Sequence, residues 1–105
     1  MENAPQPTDV DIPDDVAAAV FRRLVRHLRQ RHDAENIDLM GLAGFCRNCL
    51  ADWVLDAGGA PDKDAARHLI YGMDFSTWKQ HFQGEATDEQ LARMKESMAK
   101  NADPH

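Results

Sequence analysis

The stretch NIDLMGLAGFCRNCLADW, residues 36–53, contains the only two cysteines of the chain, Cys46 and Cys49, spaced as Cys-x-x-Cys. Apolar side chains recur in this stretch every three or four residues, which is the spacing of neighbours on one helix face. Free cysteine packs as a small hydrophobe and is among the most buried residue types. The spacing that suggests a metal or redox pair therefore also predicts two core residues, and we favour the core interpretation.

Two glycines determine whether this stretch forms one continuous helix or is broken into two. Gly41 and Gly44 each cost a helix up to about 1 kcal/mol relative to alanine, although small residues also let another helix approach closely. We expect one continuous helix from about Asn36 to Ala57. The alternative is a break, with the main helix starting near Gly44, which would place Cys46 in its first turn.

The rest of the chain predicts further helices and no strand. Acidic or hydroxyl residues mark the helix starts, and apolar residues spaced by three and four mark the buried faces. Further starts are expected at Asp14 or Asp15, after Asp62, at Asp74 or Ser76, and at Thr87 with Gln90. The apolar face expected for the first helix is Ala17, Val20, Phe21, Leu24, Val25 and Leu28. The predicted fold class is all-α, a small single-domain bundle of four to five helices.

The chain length and its ends predict one domain. We expect a helical domain over residues 14–100, a flexible N-terminal tail over 1–13 and a disordered C-terminus over 101–105. The N-terminus lacks the basic and apolar regions of a secretory signal, and no run approaches the roughly 18 apolar residues that cross a bilayer. These features predict a cytoplasmic protein with reduced thiols and no membrane partner.

The charge balance bears on the partner class. The chain has 12 Lys and Arg against 18 Asp and Glu, a formal net charge of −6, which disfavours nucleic acid and anionic membranes. A local basic cluster is the exception, and its candidate anion-binding residues are Arg22, Arg23, Arg26 and Arg29. A solvated helix face is the simpler interpretation of this cluster, and phosphate or RNA binding is the weaker alternative.

A metal site is the second interpretation of the cysteines. Structural zinc needs four ligands, and Cys46, Cys49, His27 and His32 are the one conceivable set. The histidines lie toward the end of the first predicted helix and the cysteines in the middle of the second, which disfavours this set. Dithiol redox chemistry needs a helix N-terminus beside the first cysteine, which only the break would supply. We expect no cofactor, with zinc as the alternative.

Three runs resemble a known family: FRRLVRHLRQR at 21–31, NIDLMGLAGFCRNCLADW at 36–53 and RHLIYGMDFSTWKQHFQ at 67–83. They are similar to a family of short, mainly proteobacterial proteins known as domain of unknown function 1244, over about residues 16–85. The resemblance implies a small, largely helical cytoplasmic protein that self-associates, and it implies no activity. The family run is expected to have proline at Asp74 and asparagine at Gly41.

Several polar and aromatic residues carry this resemblance. Those singled out as a candidate binding cluster are Asp38, Arg47, Asn48, Tyr71 and Lys79. If they converge they form a binding site. The alternative, which we favour, is a buried polar network that ties the second predicted helix to the turn at 71–79.

No complete catalytic constellation is present in the sequence. Ser76 and Ser97 lack a nucleophile elbow, and GGAP at 58–61 lacks the lysine and spacing of a phosphate loop. We therefore expect a non-enzymatic protein-interaction module acting as a homodimer, and Met94 and Met98 suit an adaptable interface. The alternative belongs to a different functional class. It is a metal- or thiol-dependent protein that uses the Cys46 and Cys49 pair.

Overall fold

The computed structural model describes residues 9–101, and within them every regular element is a helix. The tail expected before residue 9 and the disordered end expected after residue 101 lie outside the described residues. The helices are α1 (Asp14–Gln30), α2 (Asn36–Ala43), α3 (Arg47–Asp56), α4 (Lys63–Tyr71), α5 (Phe75–Phe82) and α6 (Asp88–Met98). The all-α class is confirmed, but this part of the chain has six helices rather than four to five.

The additional helix comes from a break at Gly44. This residue has a φ of 75°, the left-handed conformation that glycine adopts most easily, and its N–H donates to the Met40 carbonyl at 3.0 Å. The Asn101 side chain donates to the Gly44 carbonyl at 3.0 Å. The prediction of one continuous helix was wrong because a glycine C-cap ends α2. Leu42, one of the apolar residues of the stretch at 36–53, is consequently 83% exposed.

Two helix starts follow the predicted capping chemistry, whereas Asp74 precedes α5 without a side-chain cap hydrogen bond. The Asp62 side chain accepts a hydrogen bond from the Ala65 amide at 2.8 Å, so it caps α4 as expected. Thr87 and Gln90 form the predicted capping box at the start of α6. Gly72 ends α4 with a φ of 74°. Local sequence therefore determines the starts of α4 and α6, whereas the end of α4 is also stabilised by Arg29 of α1, which donates to the Leu69 and Ile70 carbonyls.

Two neighbouring cores hold the helices together. In the first, α3 packs against α4 around buried side chains from α1 and α5. Its buried members are Val25, Leu28, Leu50, Ala51, Ala66, Ile70, Tyr71 and Trp78. In the second, α2 packs against α6, and the buried residues are Met40, Cys46 and Cys49. No helix within residues 9–101 is long and apolar enough to cross a membrane.

Candidate functional site

The break at Gly44 places the Cys-x-x-Cys pair at the start of α3. Cys46 is the N-cap residue, with an extended backbone, and Cys49 lies in the first turn. A helix N-terminus has unpaired backbone amides and a partial positive charge, which favour a sulfur anion. The cysteines therefore occupy the position that was predicted only as the alternative, at the start of a helix.

Three sulfur atoms meet at this helix start. The Cys46 and Cys49 Sγ atoms are 3.9 Å apart, and the Cys49 Sγ is also 3.9 Å from the Met40 Sδ. Both thiols are free, all three residues are buried, and Met94 of α6 packs against them. The expected burial of the cysteines is confirmed, although the helix break produces it. Met40 was missed because spacing rules do not extend across a helix break.

The protonation of Cys46 reflects two opposing effects. Burial raises the pKa of the Cys46 thiol above its ordinary value, and the backbone amides of Cys49 and Asn48 partly oppose this rise. Neither amide makes a cap hydrogen bond of standard geometry to the Cys46 side chain. The thiol is therefore protonated near neutral pH, and a buried thiol of this kind reacts slowly.

Arg47, between the two cysteines, is 1% exposed. Its guanidinium donates to the carbonyl oxygens of Arg31 at 2.7 Å, Ala34 at 2.8 Å and Leu28 at 3.3 Å. It also donates to the Asn36 Oδ1 at 3.1 Å. Such hydrogen bonds to a charged donor are among the stronger ones in proteins. Arg47 therefore clamps the start of α3 to the end of α1 and to the loop that follows it.

A second polar chain begins at Asn36. The Asn36 Nδ2 donates to the Tyr71 hydroxyl at 2.9 Å, and that hydroxyl donates to the Asn48 Oδ1 at 2.7 Å. Burial raises the pKa of Tyr71 to about 12. Asn36 also accepts from Arg47, so the two sets of hydrogen bonds form one network. The structure thus brings Arg47, Asn48 and Tyr71 together and adds Asn36, which the candidate cluster did not include.

The other two members of the candidate cluster lie outside this network. Asp38 accepts hydrogen bonds from the Glu35 amide at 3.2 Å and from the Gln90 side chain at 3.0 Å. It therefore caps the start of α2 and links α2 to α6. Lys79 is exposed and lines a cavity of about 300 Å³ together with Cys46. Asp38 therefore lies apart from the buried polar groups, whereas Lys79 lines the same cavity as Asn36 and Asn48 of the network.

The two histidines of the candidate metal set have other surroundings. The His32 Nδ1 accepts a hydrogen bond from the Trp78 indole at 3.2 Å, and its ring stacks on Phe82 with centroids 3.8 Å apart. His27 is exposed on α1. Within residues 9–101, no three His, Cys, Asp or Glu side chains are placed to hold a metal ion. The structure therefore does not bring these histidines to the cysteines.

The basic cluster lies on the exposed surface of α1, and its members are Arg22, Arg23, Arg26 and Arg29. Arg29 differs from the others because it donates to the carbonyls of Leu69 and, at 3.2 Å, Ile70. Positive side chains at a helix C-terminus stabilise its unpaired carbonyls. Arg29 thus caps α4, and the rest of the cluster faces solvent.

The apolar side of α1 is only partly covered. Of the six positions predicted to face the core, Val25 and Leu28 alone are buried. Val20, Phe21 and Leu24 of that set are exposed instead. Together with Val16 they are called the α1 apolar face below, and each is 37 to 58% exposed. Phe21 also lines a groove of about 420 Å³ whose far wall includes Leu69. Packing within one chain therefore leaves much of this stripe in contact with water.

Comparison with known proteins identifies the family to which the chain belongs. Residues 34–96 match the family described as Protein of unknown function (DUF1244). The match includes the runs at 36–53 and 67–83, but it begins after α1 and so omits the run at 21–31. No curated protein matches the chain.

Proposed function

Because the chain belongs to DUF1244, a family of proteins of unknown function, we propose a function from the geometry of this chain itself. The protein is a non-enzymatic interaction module that acts as a homodimer. Two copies pair through the α1 apolar face, and the dimer presents its remaining helical surface to a protein partner. The exposure of the α1 apolar face is the observation that carries this proposal.

The α1 apolar face is a contiguous helical stripe rather than a scatter of single residues. Val16, Val20 and Leu24 follow one another at intervals of four along the helix, so their side chains adjoin. Folded monomers rarely expose large contiguous apolar patches, and such patches usually mark interaction surfaces. A surface on one helix pairs readily with its own copy across a twofold axis, which is the commonest symmetry of homo-oligomers.

The charges of α1 favour a second copy as the occupant. The helix begins with Asp14 and Asp15, whereas its second half carries Arg22 and Arg26. Antiparallel pairing places the acidic end of one copy beside the basic half of the other. Complementary charges of this kind orient an interface and suppress other arrangements. The helix dipoles of antiparallel partners also attract each other.

The polar groups near the cysteines support the non-enzymatic part of the proposal. Arg47, Asn36, Tyr71 and Asn48 hydrogen-bond to one another and to backbone carbonyls. A fully connected buried network rigidifies a core. Each of these groups therefore has a structural task that accounts for its presence.

Analytical ultracentrifugation of the full chain tests the homodimer. We expect a concentration-dependent mass that approaches two 11.8 kDa chains. Val20→Asp places a charge in the α1 apolar face and should give a monomer. Leu42→Asp is the matched control, because Leu42 is 83% exposed and lies on α2, away from that face. A wild-type protein that stays monomeric at every concentration, or equal effects of both variants, would contradict the proposal.

A second candidate function follows from the position of the cysteine pair. It is a metal- or thiol-dependent activity in the cytoplasm, where free thiols stay reduced. The supporting observation is the 3.9 Å separation of the Cys46 and Cys49 sulfurs at a helix start. Thiol titration of folded protein after mild oxidation tests it. Loss of both thiols together, reversed by a reductant, supports a dithiol, and two unchanged thiols with no bound metal would count against it.

A further inference from the structure

We propose that Met40, Cys46 and Cys49 form a binding site for a soft monovalent metal ion, Cu(I), which three sulfur atoms hold in one plane. This inference rests on the second candidate function and names its ligand. It is independent of whether α1 pairs with a second copy. The site joins the end of α2 to the start of α3 across the break at Gly44.

The sulfur positions suit three-coordinate binding. Metal–thiolate bonds are about 2.3 Å long, so three sulfurs arranged trigonally around one ion are about 4 Å apart. The Cys46–Cys49 and Cys49–Met40 sulfur separations are both 3.9 Å. Both separations therefore match the spacing of sulfur ligands around a single three-coordinate ion. A disulfide would instead require the cysteine sulfurs to approach to about 2.05 Å.

The donor set selects the metal. Thiolate and thioether sulfurs are soft ligands that favour Cu(I), whereas structural zinc is almost always held by four ligands. In residues 9–101 no third His, Cys, Asp or Glu joins the two cysteines. The Met40 thioether, whose sulfur is 3.9 Å from the Cys49 Sγ, supplies an additional soft donor. Thioether binding favours the softer, monovalent ion over zinc.

The charges and protons balance at this site. Binding converts the two thiols to thiolates and releases two protons to solvent, which leaves the ion and its ligands with one net negative charge. Arg47 is buried next to Cys46 in the chain and interacts with it electrostatically. Its guanidinium and the amides at the start of α3 offset the remaining negative charge. The ion supplies the positive charge that the buried thiols need to ionise.

The site also has an opening. Met40 and Cys46 line the cavity of about 300 Å³, together with Asn48, Lys79 and Met94. Its lining combines apolar side chains with several polar ones, as in many small-ligand sites. A metal ion carried by a small chelator or a partner protein can therefore reach the sulfurs.

The test is a Cu(I) titration of the full chain under nitrogen, in competition with bathocuproine disulfonate. We expect one Cu(I) per chain, and X-ray absorption should show three sulfur neighbours at about 2.3 Å. Met40→Leu keeps the apolar volume and should bind at least tenfold more weakly, with two sulfur neighbours. Met98→Leu is the matched control and should leave binding unchanged, because Met98 lies on α6, is 45% exposed and is not part of the sulfur cluster.

The pH dependence gives a further readout. Because two protons leave, affinity should fall by up to about a hundredfold for each unit that the pH is lowered below the thiol pKa values. Two sulfur neighbours in the wild-type protein would overturn the inference, since that count does not depend on any variant folding. Reversible disulfide formation without Cu(I) binding would overturn the proposed Cu(I) site but would still support a thiol-dependent function. If the protein neither binds Cu(I) nor forms the disulfide, the Cu(I) site and the thiol-dependent function are both overturned.

Discussion

The guanidinium carbon of Arg47 lies 5.0 Å from the centre of the Trp78 ring. Both side chains are almost fully buried, so a charge from the start of α3 rests on an aromatic ring from α5. A cation over an indole face is stabilised by the ring electrons, by about 2 kcal/mol or more when water is excluded. The same guanidinium donates hydrogen bonds to three backbone carbonyls, so Arg47 connects the start of α3 to α1, to the loop after α1 and to α5.

Replacement of Arg47 tests this role. We expect Arg47→Met to lower the free energy of unfolding by about 3 kcal/mol, because buried carbonyls lose a charged donor. Arg47→Lys keeps the charge but loses the planar fork, so it should recover only part of the stability. Urea denaturation monitored by circular dichroism measures both changes. A loss below 1 kcal/mol for Arg47→Met would show that the hydrogen bonds contribute little.

Tyr71 gives a spectroscopic prediction, since it is the only tyrosine in the chain. Burial raises its pKa to about 12 from an ordinary value of 10.0. Absorbance at the tyrosinate wavelength should therefore titrate near pH 12 in the folded protein and near pH 10 in urea. A folded-state midpoint near 10 would mean that the hydroxyl is open to water.

The same shift predicts how stability depends on pH. The folded state holds the phenolic proton more tightly than the unfolded state, so this contribution is complete below pH 10. It is lost as the pH rises through 12, by about 1.4 kcal/mol per pH unit. Tyr71→Phe should be about 1 to 2 kcal/mol less stable at neutral pH, because Asn48 loses a donor. Its stability should change less than that of the wild type between pH 10 and 12.

Gly44 offers a test of the helix break. A side chain at its φ of 75° is strained by about 1 to 2 kcal/mol, and an added Cβ would lie 2.3 Å from the Asn101 Oδ1. Gly58 is the control, because its φ is 80° but no atom lies within 4 Å of an added Cβ. Gly44→Ala should therefore destabilise the protein more than Gly58→Ala does in urea. Equal losses would indicate that the Asn101 side chain simply moves away.

Charge exchange tests the antiparallel arrangement of α1. One variant carries Asp14→Lys and Asp15→Lys, and the other carries Arg22→Glu and Arg26→Glu. Each should self-associate at least tenfold more weakly than the wild type, because like charges then meet. An equimolar mixture should form a heterodimer, since each altered end meets an opposite charge. Failure of the mixture to associate, with normal helicity of both variants, would argue against this arrangement.

Local chemistry in the sequence determined much of the fold. The caps at Asp62 and Thr87 and the start of α1 were predictable, because each depends on neighbouring residues alone. The break at Gly44 was less predictable, since the apolar spacing continues through it. Its left-handed conformation is supported by Asn101, which is 57 residues away in sequence.

The candidate site was predicted only in part for the same reason. Burial of the cysteines followed from their residue type, and the polarity of Arg47 and Asn48 singled them out. Spacing within one helix could not bring in Met40, whose sulfur reaches Cys49 only because the chain turns between α2 and α3. Nor could amphipathic periodicity show that half of the α1 stripe stays exposed among residues 9–101, because that depends on how the helices pack.

The most direct test of pairing through α1 is an isotope-filtered NOE experiment on a mixture of labelled and unlabelled chains. This experiment detects only contacts between different copies. Antiparallel pairing through α1 predicts cross-peaks between the Phe21 ring of one copy and the Val16 or Val20 methyl groups of the other, because these side chains belong to the α1 apolar face. Absence of contacts between copies at millimolar concentration, or contacts from α6 alone, would contradict pairing through α1.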